Sequence, residues 1–192
     1  MLLPLLAAVA LPVATRARAD ESVSVCYDYG CAVQQQVSFS EPQLARVREI
    51  LAAAATAAAE RRALSEAVGR LYAFAGEQSP IRNDRGGNYA DGGVQGSMDC
   101  IDHSTTTTRL LRLLERRGWL RFHRVLEPVR RTRFLIVQHW SALIEETAPR
   151  RSEAGLPAAP ARFVVDSWFV DNGQPAVVLP LEDWLNGGGP HV

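Results

Sequence analysis

The chain contains no lysine: all 21 of its cationic residues are arginine, and they are matched by 21 acidic residues. The only amine it could offer to acyl transfer is therefore its N-terminus. Zero formal charge, with no dominant basic stripe, argues against nucleic acid as a partner, because a cationic face is the usual electrostatic footprint of such binding. Cysteine is scarce, three in 192 residues, and no internal repeat is visible. No apolar run reaches the roughly 20 residues that a membrane-spanning helix needs. A 47% hydrophobic fraction over 192 residues is enough for one domain with a proper core and short for two.

The opening residues 1–15 are nearly all Leu, Ala, Val and Pro, and they lead into Ala17-Arg18-Ala19, small residues at the two positions a signal peptidase reads, followed by Asp20 and Glu21. This predicts a cleaved export signal over 1–19, although no cationic leader precedes the apolar run. The mature chain, 20–192, would be slightly acidic, periplasmic or secreted, and without stable membrane insertion. An apolar N-terminal helix packed on the domain is the other reading.

The cysteines fit an oxidising compartment. Cys26 and Cys31 flank Tyr-Asp-Tyr-Gly, and this spacing predicts a small disulfide loop near the mature N-terminus. A metal site is the alternative, but no second ligand pair lies nearby, and nothing in the sequence signals a cofactor. Cys100 is then the odd thiol, which in an exported protein marks a candidate reactive group.

Ser40-Glu41-Pro42-Gln43 reads as a helix start, and apolar residues at helical spacing continue to about 78, as one long helix or two joined near 56–60. Residues 79–98 form a glycine-rich loop that runs into Asp99-Cys100-Ile101-Asp102. A helix is expected from Cys100 to Gly118, although Thr105 to Thr108 are β-branched. Short strands are expected at 119–126, 133–144, 162–169 and 175–179, the last two joined by an Asn172-Gly173 turn. Residues 146–160 read as a loop and 181–185 as a helical turn. The fold class predicted is α+β, with the helices first and a mostly antiparallel sheet after them.

Thiol catalysis needs a thiolate, favoured by a helix N-terminus and a nearby imidazole, plus a group that holds the imidazole in place. Cys100 stands where the glycine-rich loop meets a helix. Among four histidines, His191 lies in the tail, His123 reads as a surface or edge residue, and His103 as a helix residue without an orienting partner. His139 follows an apolar strand and precedes Trp140. Asp166 ends the run Phe163-Val164-Val165 and needs a partner, because burying an unpaired carboxylate is costly. Cys100 as nucleophile, His139 as base and Asp166 as orienter form the constellation.

The segment Gly96-Ser97-Met98-Asp99-Cys100-Ile101-Asp102, with His139-Trp140 and Val164-Val165-Asp166-Ser167-Trp168, resembles the transglutaminase-like cysteine peptidase superfamily over about residues 85–170. The resemblance implies a papain-like core, those three catalytic roles, and protein or peptide amides as substrates. Asp102 matches an acidic residue that often follows the nucleophile by two in bacterial members. Some members bind calcium, but no calcium loop is evident here. Papain-like enzymes often place a Gln a few residues before the nucleophile, which makes Gln95 a candidate oxyanion donor. The alternatives are a cell-wall peptide amidase of the NlpC/P60 kind, whose third polar residue usually follows the His sooner, and a binding module that keeps the fold without the chemistry. Metal binding by Cys100 and His103 is weaker still, since one C-x-x-H pair is not a site.

Overall fold

The computed structural model describes residues 20–87, 93–134, 136–148, 150–151 and 157–190. The expected export signal over 1–19 and His191 lie outside these residues.

The described residues open with a hairpin that the sequence reading did not anticipate. Strand β1 (Glu21–Tyr27) pairs antiparallel with β2 (Val33–Phe39), in register from Glu21↔Phe39 to Tyr27↔Val33. Val23, Val25 and Tyr27 alternate into the core, as a half-buried strand requires. The Cys26–Cys31 disulfide closes the tip of this hairpin.

Helices α1 (Glu41–Ala52) and α2 (Ala57–Gly76) are separate. Ser40 precedes α1, and the Gln43 side chain accepts its N–H at 3.0 Å. A fresh cap at Thr56, whose Oγ1 accepts from the Ala59 N–H, starts α2. A short 3-10 turn (Pro80–Asn83) opens the glycine-rich loop. Helix α3 (Cys100–Arg116) then runs without a break through the four threonines. Two of their hydroxyls are engaged: Thr106 Oγ1 accepts the Cys26 N–H (2.9 Å), and Thr107 joins a buried network described below, whereas Thr108 Oγ1 is buried without a hydrogen-bond partner among the described residues.

Five of the remaining strands form one antiparallel sheet. Strand β5 (Val137–Glu146) is its spine, paired on one side with β3 (His123–Val125) and β4 (Val129–Arg133) in succession, and on the other with β8 (Arg162–Asp166). Strand β9 (Val177–Pro180) adds to β8 as the expected hairpin, and helix α4 (Leu181–Leu185) follows it. Two short strands, β6 (Arg150–Arg151) and β7 (Pro157–Ala158), pair within the segment read as loop. The single strand expected over 133–144 is instead a hairpin, with β4 and β5 turning at Arg133↔Val137 and Phe134 at φ +50°. No glycine, proline or asparagine marks that turn, so local residue signals could not reveal it.

The mixture of helix and antiparallel sheet is the α+β class expected from the sequence. Alternation along the sheet creates two apolar faces. Ala142, Ile144 and Val165 join the larger core with α1, α2, α3 and the N-terminal hairpin. Leu143 and Val164 face a smaller cluster with Trp168, Phe169 and Trp184.

Candidate active site

Cys100 is the first residue of α3 and is half-buried, packed against that smaller aromatic cluster. Two of the first-turn N–H groups are already taken, since Asp99 Oδ1 accepts from Ile101 (3.0 Å) and from Asp102 (2.9 Å). The N–H of Cys100 itself is left facing its own sulfur, and the Trp140 backbone N–H reaches the same sulfur from β5.

His139 and Asp166 meet on adjacent strands. Position 141 lies opposite 166 in the β5–β8 register, so His139 is its diagonal neighbour on one face. The His139 Nε2 to Asp166 Oδ2 distance is 2.8 Å, with Asp166 1% and His139 8% exposed. The carboxylate is fully engaged: Oδ2 also accepts the Trp184 indole N–H (2.9 Å), and Oδ1 the Trp168 N–H (3.2 Å). The imidazole sits among the rings of Trp168, Phe169 and Trp184, with centroids 4.8, 5.5 and 5.6 Å away. Nε2 is therefore committed to Asp166, and Nδ1 is the nitrogen left for chemistry.

Burial pushes the Cys100 thiol up, and the charges of Asp99 and Asp166 add to the effect against the Trp140 and Cys100 N–H groups. The sequence reading expected a depressed pKa from the helix N-terminus. Dehydration of the sulfur and two nearby carboxylates outweigh those N–H groups.

Gln95 is exposed on the glycine-rich loop, where its backbone carbonyl accepts from Asn83 Nδ2 (3.0 Å). It lines a cavity of about 350 Å³ with Asp28, Tyr29, Gly93, Val94 and Ser97, whose wall does not include Cys100. A second cavity, about 500 Å³, lies between α2 and the β8–β9 hairpin and shares no lining residue with the constellation.

Two of the other histidines differ from their sequence reading. His103, expected to lack a partner, is 3% exposed and bonded at both nitrogens, Nε2 to Asp84 Oδ2 (3.0 Å) and Nδ1 to Ser167 Oγ (2.8 Å). Thr107 and Tyr72 complete the network, and burial pushes the Tyr72 phenol up so that it stays neutral. With both nitrogens occupied, His103 has none left to share a metal with Cys100. His123, expected at the surface or an edge, lies on the edge strand β3 but is 2% exposed and donates from Nδ1 to buried Glu60 (2.9 Å). Burial works to raise Glu60, but His123 and the N–H groups of Arg121 and Phe122 outweigh it and hold the carboxyl low.

The His103 network braces the site. Asp84 Oδ1 accepts the Met98 N–H (2.8 Å) two residues before Cys100, and Ser167 adjoins Asp166. Gly96, at φ +90°, lets the loop pass over Pro80, whose carbonyl oxygen would lie 2.1 Å from a Cβ.

The disulfide loop docks on the same helix start. Asp28, Tyr29, Gly30 and Cys31 all have positive φ, and this turn aims N–H groups at acidic side chains. Asp102 accepts from Tyr29 (2.9 Å), Cys31 (2.6 Å) and Asp99 (3.1 Å), while Asp99 Oδ2 accepts from Gly30 (3.0 Å). Burial, with Asp99 nearby, pushes Asp102 up to about 6 against these bonds. Cys26, Cys31 and Asp102 are close enough for a shared ion, but the two sulfurs are bonded to each other and so offer no thiolate.

Comparison with protein-family models, curated proteins and solved structures gives no match. The functional reading therefore rests on the geometry of these residues.

Proposed function

We propose that this protein is an exported thiol hydrolase or acyl transferase acting on protein or peptide amides through a thioester on Cys100, on a papain-like core of the transglutaminase-like kind. The observation that carries the reading is the buried 2.8 Å His139–Asp166 pair on adjacent strands, sharing one aromatic cluster with a cysteine at a helix start. The Cys26–Cys31 disulfide supports an oxidising compartment, hence export.

His139 Nδ1 takes the Cys100 proton as the sulfur attacks the amide carbonyl, because the raised thiol pKa makes concerted transfer easier than a standing thiolate. Asp166 holds Nε2–H and stabilises the imidazolium. With the Ile101 and Asp102 N–H groups occupied, the Cys100 N–H is the first-turn donor left for the oxyanion, and Gln95 would have to move to assist. The imidazolium then protonates the leaving amine. In the second half, His139 deprotonates water or an acceptor amine, which attacks the thioester and frees Cys100.

Cell-wall peptides fall within this substrate class, and the NlpC/P60 alternative differs mainly in where its third polar residue falls. A second reading, a binding module without chemistry, draws support from the half-burial that raises the thiol. Incubation with a mixture of peptide and glutamine-amide donors, followed by intact-mass measurement and hydroxylamine release, separates the two. An acyl adduct on Cys100 that hydroxylamine removes supports catalysis. An unmodified Cys100 with every donor, in protein shown to be folded, supports the binding module.

A further inference from the structure

The β4–β5 hairpin carries the most exposed large apolar side chains described: Phe134 is 80% and Ile136 81% exposed, with Val137 at 45%. Isolated exposed apolar residues are ordinary, but three at one hairpin tip are not explained by the fold. The hairpin itself carries one sign of charge. Residues 128–144 contain Arg130, Arg131 and Arg133 and no acidic residue. Arg131 is anchored to the Trp184 and Gly188 carbonyls, which fixes the hairpin against α4. Arg130 and Arg133 have no carboxylate partner among the described residues. Arg130 bonds Gln138 (3.4 Å) and lies 5.6 Å from the Trp140 ring centroid, and Arg133 lies 5.2 Å from that of Phe134. The acidic residues of α4, Glu182 and Asp183, are ion-paired with neither.

We propose that this tip is a peripheral docking element for an anionic lipid bilayer. Apolar side chains at the end of a hairpin, with arginines set back along β4, match the layering of a membrane interface: acyl chains first, phosphate oxygens a few ångströms above. A nucleic acid would satisfy the arginines but offers nothing to bury Ile136 and Val137. Val137 stands two residues before His139 on β5, so at about 3.3 Å per residue His139 lies about 7 Å above the level of Val137. Docking would present membrane-proximal amides to the constellation. The proposal does not depend on Cys100 being catalytic.

The test is co-flotation of the protein, produced from its full-length chain, with phosphatidylglycerol or phosphatidylcholine vesicles. The variants are Phe134→Asn/Ile136→Ser and Arg130→Gln/Arg133→Gln; Asn is chosen because it tolerates the positive φ of position 134. Near-ultraviolet circular dichroism checks that each is folded. Binding to the anionic vesicles should fall about tenfold or more for each apolar side chain removed, and about fivefold per arginine. It should also weaken with salt and be much poorer on the zwitterionic vesicles. A Phe134→Trp variant should show quenching by brominated lipid beyond that of the parent. No binding, or binding that folded tip variants retain in full, overturns the proposal. So does self-association in sedimentation that Phe134→Asn/Ile136→Ser abolishes, which would assign the tip to a second copy of the chain.

Discussion

Replacing Asp84 separates two ways of reading the buried network beneath the site. Its carboxylate accepts the Met98 N–H at 2.8 Å and bonds His103 Nε2 at 3.0 Å, with Asp84 0% exposed. Asp84→Ala leaves both partners without an acceptor in a dry environment. Each orphaned group costs about 1–3 kcal/mol, so the two together cost about 2–6. For a chain of this length that lowers Tm by roughly 4–24 °C. Asp84→Asn should behave differently. Its oxygen can accept from Met98 while its NH₂ donates to Nε2, provided His103 moves its proton to Nδ1 and donates to Ser167, which donates onward to Tyr72. The amide then satisfies every partner, and the cost should stay below about 1.5 kcal/mol. Urea unfolding of the three proteins at pH 7 measures the difference. Equal losses in the Ala and Asn variants, or a loss below 1 kcal/mol in Ala, would refute the network as described.

Other perturbations probe neighbouring groups. Asp166→Asn keeps an oxygen for His139 and Trp184 but turns its NH₂ toward the Trp168 N–H, so we expect a stability loss of about 1–3 kcal/mol in thermal unfolding. Alkylation of its Cys100 at pH 7 should slow at least tenfold, as the imidazolium loses its counter-charge. Asp102 titrates near 6 when folded against a usual 3.8, so the folded chain keeps a proton that the unfolded chain releases. Its contribution therefore falls by up to about 3 kcal/mol as pH rises through that window and is flat above about 7; Asp102→Asn should show a shallower slope between pH 4 and 7 in urea midpoints. Cys26→Ser/Cys31→Ser should cost about 2 kcal/mol for so short a loop. It should also loosen the turn that holds Asp99 and Asp102, seen as faster amide exchange at Tyr29 and Cys31.

What the sequence made legible and what it hid divide along range. Ser40, Thr56, Gly118 and Asn172-Gly173 mark boundaries through contacts a few residues long, and the helices and last hairpin follow from them. The N-terminal hairpin is written in the alternation of Val23, Val25 and Tyr27, which the equally buried Cys26 interrupts. The Phe134 turn has no local signal at all, since pairing of β4 with β5 imposes it. His139 and Asp166 could be chosen together because a carboxylate at the end of an apolar strand demands a partner, and the structure brings them to 2.8 Å. The partners of His103 and His123, by contrast, are Asp84 and Glu60, 19 and 63 residues away along the chain, and only folding brings them close. Trp184, which braces Asp166 from α4, was hidden for the same reason. Desolvation of Cys100 is likewise a property of the packed cluster, so the helix start alone suggested the wrong direction for its pKa.

The central claim is that Cys100, His139 and Asp166 act as one unit, and the rate of Cys100 alkylation by iodoacetamide from pH 5 to 10 tests it most directly, in the parent and in a folded His139→Gln variant. The account predicts a parent profile with a component that follows imidazole deprotonation, at least tenfold faster at pH 7 than the variant. The variant should react only as the thiol itself ionises, above its ordinary value, because burial and the two carboxylates remain. Superimposed profiles for the two proteins would contradict it and leave Cys100 a half-buried thiol beside an unrelated His–Asp pair.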